Sequence, residues 1–345
     1  GMKWIYGKQD WKTFERGQEN CYLMTNGLGG YSSLTMTGSA ARNDHAFLMA
    51  CTKAPNNRYN MIHRLAEQLE TGREVYTMSS QEFADRSREK GYRYLTEFVY
   101  EDTPVWRFLI NGVEIEKEAA LKQDENTAAV CYRVTNRSGK DVRLTVTPFY
   151  QFAPKGGGEE LNGTFRHLAG RMENGHLGLY YMTNGCVTEI PETKEQYYYS
   201  YDACDGRKST GSAEACHRIS LDVESGGSST LSVVFSVERD FAEEQTRSAV
   251  DVAESVIQEM KEERKKLELQ SGLCDETARF LVKSAHQFVS RRKSTGGKTI
   301  LAGFPFFEDW GRDTMIALPG VCLSTRQYED ARSILRTFAR YERQG

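Results

Sequence analysis

The sequence predicts a β-sandwich over roughly its first 240 residues, then one long helix, then a helical tail. Three observations carry that prediction. Apolar residues alternate with a period of two between turn signals up to about residue 240. A stretch from about Ala242 to Leu269 has neither Pro nor Gly and spaces its apolar residues helically. Helical patterns resume after about residue 275.

Taking the elements in order, Val142, Leu144 and Val146 alternate with Arg143 and Thr145, the pattern of a half-buried strand. Val105–Ile110 and Val113–Glu116 flank Asn111-Gly112. Asn-Gly between apolar runs marks a hairpin because both residues tolerate positive φ. Asn136–Gly139 is a second turn, and Thr230–Val237 reads as a later strand. The stretch from about Asn57 to Glu70 reads as a short helix or an irregular insertion. Gly156-Gly157-Gly158 and Asp205-Gly206 mark surface loops. Repeated short strands with regular turn signals fit a sandwich.

In the long helix, Ala249, Val252, Ala253, Val256 and Met260 recur at three- and four-residue steps, and Ser271-Gly272 ends it. A second helical run covers about Asp275 to Arg292, with Phe280, Leu281, Ala285 and Phe288 on one face. Further runs cover about Thr314 to Leu323 and Gln327 to Arg340. About 70 residues follow residue 275. At ~12 residues per helix and ~5 per connection, they hold at most about four helices. That is too few for a large helical barrel, so the natural protein is expected to continue past Gly345.

Composition narrows the class. The chain has 345 residues, a formal net charge of −3, 39% hydrophobic residues and 11% aromatics. That is enough apolar content for a packed core. The balanced charge and the absence of a basic stripe argue against a nucleic-acid partner. No apolar stretch approaches ~18 residues, so no membrane span is expected. The eight cysteines show no C-x-x-C pair, which leaves a zinc or thioredoxin-like motif without support. Free thiols in a cytoplasmic setting are expected. His45, His63, His167, His176, His217 and His286 lack metal-ligand spacing and are expected as surface or satisfied core residues. Tyr197, Tyr198, Tyr199 and Tyr201 fit sheet packing better than a glycan groove.

The segment Ala302–Gly320 carries the most chemistry. Within it, Phe307-Glu308-Asp309-Trp310-Gly311-Arg312-Asp313 has the makings of a sugar site. Trp310 and Phe307 offer flat apolar faces to a pyranose. Asp309, Arg312 and Asp313 offer charge-assisted hydrogen bonds to hydroxyls. The competing reading makes Trp310 a core residue, Arg312 and Asp313 an ion pair, and Asp313 a helix cap. Gly296-Gly297-Lys298-Thr299 lacks the earlier glycine of a phosphate loop. Gly29-Gly30 is read first as a tight turn between strands, and otherwise as a loop reaching towards a sugar cleft.

The W-G-R-D run at 310–313, within a stretch from about Ser290 to Ala339, resembles the start of the catalytic domain of glycogen debranching enzymes. Thr25–Ser33, Gly38, Ala41-Arg42-Asn43-Asp44-His45 and Leu48–Ala50 are similar to the amino-terminal domain of the bacterial and archaeal members. Asp44 and Ala46 depart from the family pattern, which favours an aromatic residue before the histidine and Gly after it.

The resemblance implies an amino-terminal β-supersandwich over 1–241, a linker helix over 242–274, and the first helices of a truncated (α/α)6 barrel over 275–345. It implies hydrolysis of α-1,6 branch points of a glycogen-like α-glucan, without a cofactor, by an acid and a base set ~6.5–9.5 Å apart for inversion. Both carboxylates are expected beyond Gly345, so no catalytic residue is assigned in this chain, which alone is expected to be inactive. Trp310, Arg312, Asp313, Asp309 and Phe307 are expected to hold substrate. A disaccharide phosphorylase of similar plan and a non-catalytic carbohydrate-binding module are the rival readings. Tail helices cut off from barrel neighbours would expose Phe280, Phe288, Leu318, Leu335 and Phe338, which favours a homodimer.

Overall fold

The computed structural model describes residues 3–53, 57–156, 163–244 and 247–271, with the backbone of four short strands between 289 and 323. Among them, two antiparallel sheets share one apolar core. The larger has nine strands, in the order Trp4–Gly7, Leu95–Tyr100, Pro104–Ile110, Val113–Leu121, Thr127–Asn136, Ser228–Ser236, Leu177–Thr183, Arg171–Asn174, Arg166–Leu168. The smaller runs Cys186–Tyr198, Thr210–Val223, Val142–Gly156, Asn57–Thr71, Ala46–Lys53, Tyr31–Ser33, Met24–Thr25, with Glu74–Thr77 paired to the end of Asn57–Thr71. A β-sandwich is therefore the architecture, as the alternation predicted.

Local chemistry explains the joints. Ile110 pairs with Val113 across Asn111 and Gly112, whose φ values are 46° and 86°. Both positive angles match the twist of a two-residue hairpin. At the other predicted turn, Asn136 Oδ1 accepts from the Ser138 backbone N–H and hydroxyl, and Gly139 takes φ 78°. Aromatic rings bind the two sheets. Phe47 of the smaller sheet meets Phe235 of the larger at 6.3 Å, and Trp106 meets Tyr22 at 5.4 Å and its neighbour in the same sheet, Phe98, at 5.3 Å. Each buried side chain of this size contributes about 1.5–3 kcal/mol, so the shared core dominates stability.

The stretch expected as a helix or insertion near 57–70 is instead the 15-residue strand Asn57–Thr71, paired with Val142–Gly156 on one side and Ala46–Lys53 on the other. Its period of two is hidden because Asn60, His63, Arg64 and Glu67 are buried and paired rather than exposed. Glu67 reaches across the core to Lys117 of the facing sheet, Nζ to Oε2 2.7 Å, and Tyr132 donates to the same carboxylate.

The long helix runs Ala249–Ser271 and packs on the larger sheet over Val113–Leu121, Thr127–Asn136 and Ser228–Ser236. Ala249, Val252, Ala253, Val256 and Met260 are all buried. It starts later than the periodicity suggested because Ser248 Oγ accepts from Asp251 N–H at 3.1 Å, a capping bond. Phe241–Glu244 forms a separate 3-10 turn. Ion pairs Arg133–Glu254, Lys122–Glu259 and Lys261–Glu118 fix the helix azimuth, and buried Arg264 donates to Tyr100 Oη at 2.7 Å. No described helix is long and apolar enough to cross a membrane.

The described pieces of 275–345 depart from the expected helices. Val289–Arg291 pairs with Lys298–Ile300, and Ile316–Leu318 with Val321–Leu323, both antiparallel. Val289 faces Ile300 in the first pair, Ile316 and Val321 face leucines in the second, and Pro319-Gly320 is a poor helix interior. The remaining residues of the expected helical runs and of the barrel opening lie outside the described residues. Cys131, Cys186, Cys204 and Cys216 are free, as expected, whereas Cys21 is disulfide-bonded, which the free-thiol expectation did not foresee.

Candidate functional site

Phe307, Asp309, Trp310, Arg312 and Asp313 lie outside the described residues, as do Glu308 and His286. The second motif region is fully described, and the structure gathers its parts at one corner of the smaller sheet. Thr25–Ser33 is a tight turn between two short strands. Asn26 holds it shut. Its Oδ1 accepts from Leu28 N–H (3.0 Å) and Gly30 N–H (3.1 Å), while its Nδ2 donates to Asn126 Oδ1 (2.9 Å) and the Glu125 carbonyl (3.0 Å). Asn126 passes the tie to the Cys51 backbone and to Glu238. A Cβ on Gly30 would sit 2.6 Å from Asn26 Nδ2 and 2.7 Å from the Met49 carbonyl, so close packing requires glycine there. The tight-turn reading of Gly29-Gly30 is the one observed.

The Ala41–His45 turn is pinned from inside and outside. His45 Nδ1 accepts from Ala41 N–H at 2.9 Å, so the ring proton is on Nε2, 3.9 Å from Cys21 Sγ. From outside, the short helix Ser200–Cys204 contributes Asp202, whose Oδ2 accepts from Asn43 N–H at 2.6 Å. Arg42 lies over the Tyr201 ring (4.9 Å) and 3.6 Å from Asp205. Below the turn, Asn60 Nδ2 donates both to the His45 carbonyl (3.0 Å) and to His63 Nδ1 (3.1 Å). His63 therefore carries its proton on Nε2, which faces Tyr199 Oη at 2.8 Å. Beside it, Arg64 lies between Glu89 (2.6 Å) and Glu195 (3.3 Å) and over the rings of Phe83 and Phe149.

Burial sets the charge states. It holds His45 neutral well below its ordinary value, with Arg42 adding to the effect. It pushes His63 down to about 3, helped by the Lys155 charge. It lowers Lys155 and Arg42 and raises Asp202 and Glu195, the last opposed by Arg64. Glu238 is raised by burial as well, against its bonds to Asn126. The raised carboxyls are thus already engaged: Glu195 with Arg64 and Tyr197, Asp202 with Asn43, Glu238 with Asn126. The corner is a rigid neutral-histidine scaffold for two loops, and its chemistry is positioning. No cluster among the described residues has the makings of a metal site.

His45, His63 and His217 are buried and hydrogen-bonded, the satisfied-core reading. Tyr197 and Tyr199 are fully buried, the sheet-packing reading. Sequence reasoning missed Arg64, Asn60 and Asp202. Their only signal was polar residues inside otherwise strand-like or turn-like runs.

Residues 20–230, more than half of the chain, match the family described as the glycogen debranching enzyme N terminal. Residues 283–345 match the amylo-alpha-1,6-glucosidase family. No curated protein matches the chain. Among solved structures, a protein assigned as a kojibiose phosphorylase from the human microbiome aligns with TM-score 0.45 and 8% identity, over 83% of this chain and 41% of that one. A bacterial glucoamylase complexed with acarbose aligns with TM-score 0.35 and 10% identity, over 78% and 41%. A family GH92 inverting mannosidase from Bacteroides thetaiotaomicron aligns with TM-score 0.36 and 11% identity, over 85% and 40%. The chain spans about two fifths of the length of these structures. With most of its sandwich and both its motif regions inside the matched segments, the chain belongs to the glycogen debranching enzyme family.

Proposed function

We propose that the whole protein is a cytoplasmic α-1,6-glucosidase that hydrolyses branch points of a glycogen-like α-glucan. The chain would supply a β-supersandwich domain (1–241), a linker helix (242–274) and the opening of an (α/α)6 catalytic domain (275–345). The observation that carries this reading is the succession of two matched segments, amino-terminal family first and amylo-alpha-1,6-glucosidase family second. In the second, Trp310 and Phe307 would stack on a glucosyl ring while Asp309, Arg312 and Asp313 bind its hydroxyls. The acid that protonates the leaving oxygen and the base that activates water would follow Gly345, at the ~6.5–9.5 Å spacing of an inverting pair. No cofactor takes part. Tail helices covering one another would make a homodimer.

The test is glucose release from a phosphorylase limit dextrin by the 345-residue chain and, in parallel, by the same gene read to its natural stop. Glucose from the longer protein alone supports the reading. Turnover by the 345-residue chain would refute the placement of the carboxylates. Phosphate-dependent release of a sugar 1-phosphate by the longer protein would replace the hydrolase with a phosphorylase. Glycan binding that survives removal of everything past about residue 270, with no turnover by either protein, would leave a binding module.

A further inference from the structure

The hairpin Ser80–Glu82/Arg88–Lys90 opens a cleft of about 400 Å3 lined by Glu82, Arg86, Ser87, Arg88 and Lys90. Three cations and one carboxylate face this space. Glu82 is almost fully buried, and its Oε2 takes the Nε of Arg86 at 3.2 Å and the Nε of Arg88 at 3.0 Å. One carboxylate therefore holds two guanidinium groups side by side. Arg88 spends its Nη2 on Glu15 at 2.7 Å. The outer nitrogens of Arg86 and the ammonium of exposed Lys90 make no hydrogen bond or ion pair with the described residues. Counting Glu82, Glu15 and Asp85, whose Oδ1 takes the Ser87 N–H, against Arg86, Arg88 and Lys90 leaves the charges balanced, with two unspent donor groups at the cleft.

The mounting is rigid. Arg86 has φ 70°, a left-handed conformation in which glycine is the cheaper residue, and its guanidinium lies 3.9 Å over the Tyr198 ring. The turn is closed by Phe83 N–H to the Ser87 carbonyl (2.9 Å) and Arg86 N–H to the Phe83 carbonyl (2.8 Å). Phe83 stacks on Tyr197, Ala84 N–H donates to the Gln196 carbonyl, and Gln81 exchanges two hydrogen bonds with the Ala40 backbone. Donor groups fixed before a ligand arrives lose little entropy on binding it. The outer fork of Arg86 and the Lys90 ammonium match the oxygens of a phosphate.

We propose that this cleft binds a dianionic phosphate group, carried either by inorganic phosphate or by a phosphate monoester of a sugar. The inference stands apart from the hydrolase reading, since it is argued from Glu82, Arg86, Arg88 and Lys90 and uses none of the proposed glucan-holding residues.

The experiment is isothermal titration of the 345-residue chain at pH 7.5 with inorganic phosphate, glucose 6-phosphate and, as a neutral control, glucose. Both phosphates should bind and glucose should not. The double variant Arg86→Gln/Lys90→Gln should weaken binding by about tenfold or more, as expected for lost charge-assisted donors. Glucose 6-phosphate binding at least about tenfold tighter than phosphate would identify a sugar phosphate as the occupant. Equal affinities would identify free phosphate. Absence of heat with both anions, or affinities unchanged in a folded double variant, would overturn the proposal. Lys90→Gln alone removes an exposed, unpaired ammonium, so it supplies the same comparison if the double variant does not fold.

Discussion

Lys117→Met should be the most damaging conservative change in the sandwich. Lys117 and Glu67 come from facing sheets, their side chains are 7% and 4% exposed, and Nζ and Oε2 are 2.7 Å apart. Lys117 Nζ also lies 4.7 Å over the Trp106 ring and 5.7 Å from that of Tyr132, and Tyr132 donates to Glu67. Methionine nearly matches the lysine stem in volume, so little cavity is made and the loss is electrostatic. An uncompensated buried carboxylate costs about 3–5 kcal/mol. Glu67→Leu/Lys117→Met removes both charges but strands the Tyr132 hydroxyl, a residual cost of about 1–3 kcal/mol. Adding Tyr132→Phe removes that group too, and the triple variant should return to within about 1 kcal/mol of the parent, because apolar replacements of buried pairs are often neutral. Urea unfolding followed by tryptophan fluorescence reads all three, with Trp106 reporting from beside the pair. A triple variant as unstable as Lys117→Met would refute the reasoning, since the loss would then come from packing.

Acid should unfold the chain through its buried histidines. His63 and His217 are held at about 3 by burial, and His45 well below its ordinary value, whereas an unfolded histidine titrates near ~6.5. The unfolded state therefore binds more protons below that pH, so stability is full above it and falls as pH drops towards the folded values. At pH 5 His63 and His217 each remove about 2 kcal/mol, and His45 acts in the same direction. Melting temperature from pH 8 to 5 should be flat above ~7 and then fall, and a flat profile throughout would contradict the burial argument. Gly30→Ala should cost about 1–3 kcal/mol by forcing apart Asn26, Asn126 and the Met49 carbonyl, while Gly139→Ala, with nothing within 4 Å of its Cβ, should cost only the strain of positive φ. Ser248→Ala should lower stability by about 1 kcal/mol while leaving helix content by circular dichroism nearly unchanged, because the packed face of Ala249–Ser271 is untouched.

The elements legible in the sequence were those whose local signal and tertiary environment agree. Asn111-Gly112 makes its hairpin because two residues in a row accept positive φ, a property independent of the rest of the chain. The long helix was legible because its buried stripe faces one surface and its other side meets water. Strand Asn57–Thr71 was not, because its polar residues are buried beside partners that come from elsewhere in the chain: Glu89 and Glu195 for Arg64, Tyr199 for His63, Lys117 for Glu67. The late start of the long helix also escaped periodicity, since a cap is a single hydrogen bond from Ser248 rather than a pattern.

By itself, the sequence determined the order of β-rich region and long helix, the hairpin turns, and the two motif regions that mark the family. Only the tertiary structure decided that Asn26, Asn126 and Glu238 form one network, and that His45 and His63 are neutral scaffold rather than chemistry. It alone set Arg86 and Arg88 side by side on the buried Glu82 carboxylate. The physical reason is that turn preference and amphipathic period act between neighbours along the chain. Charge state and polar pairing depend on which distant residues share a buried space, and that is settled only when the two sheets close on each other.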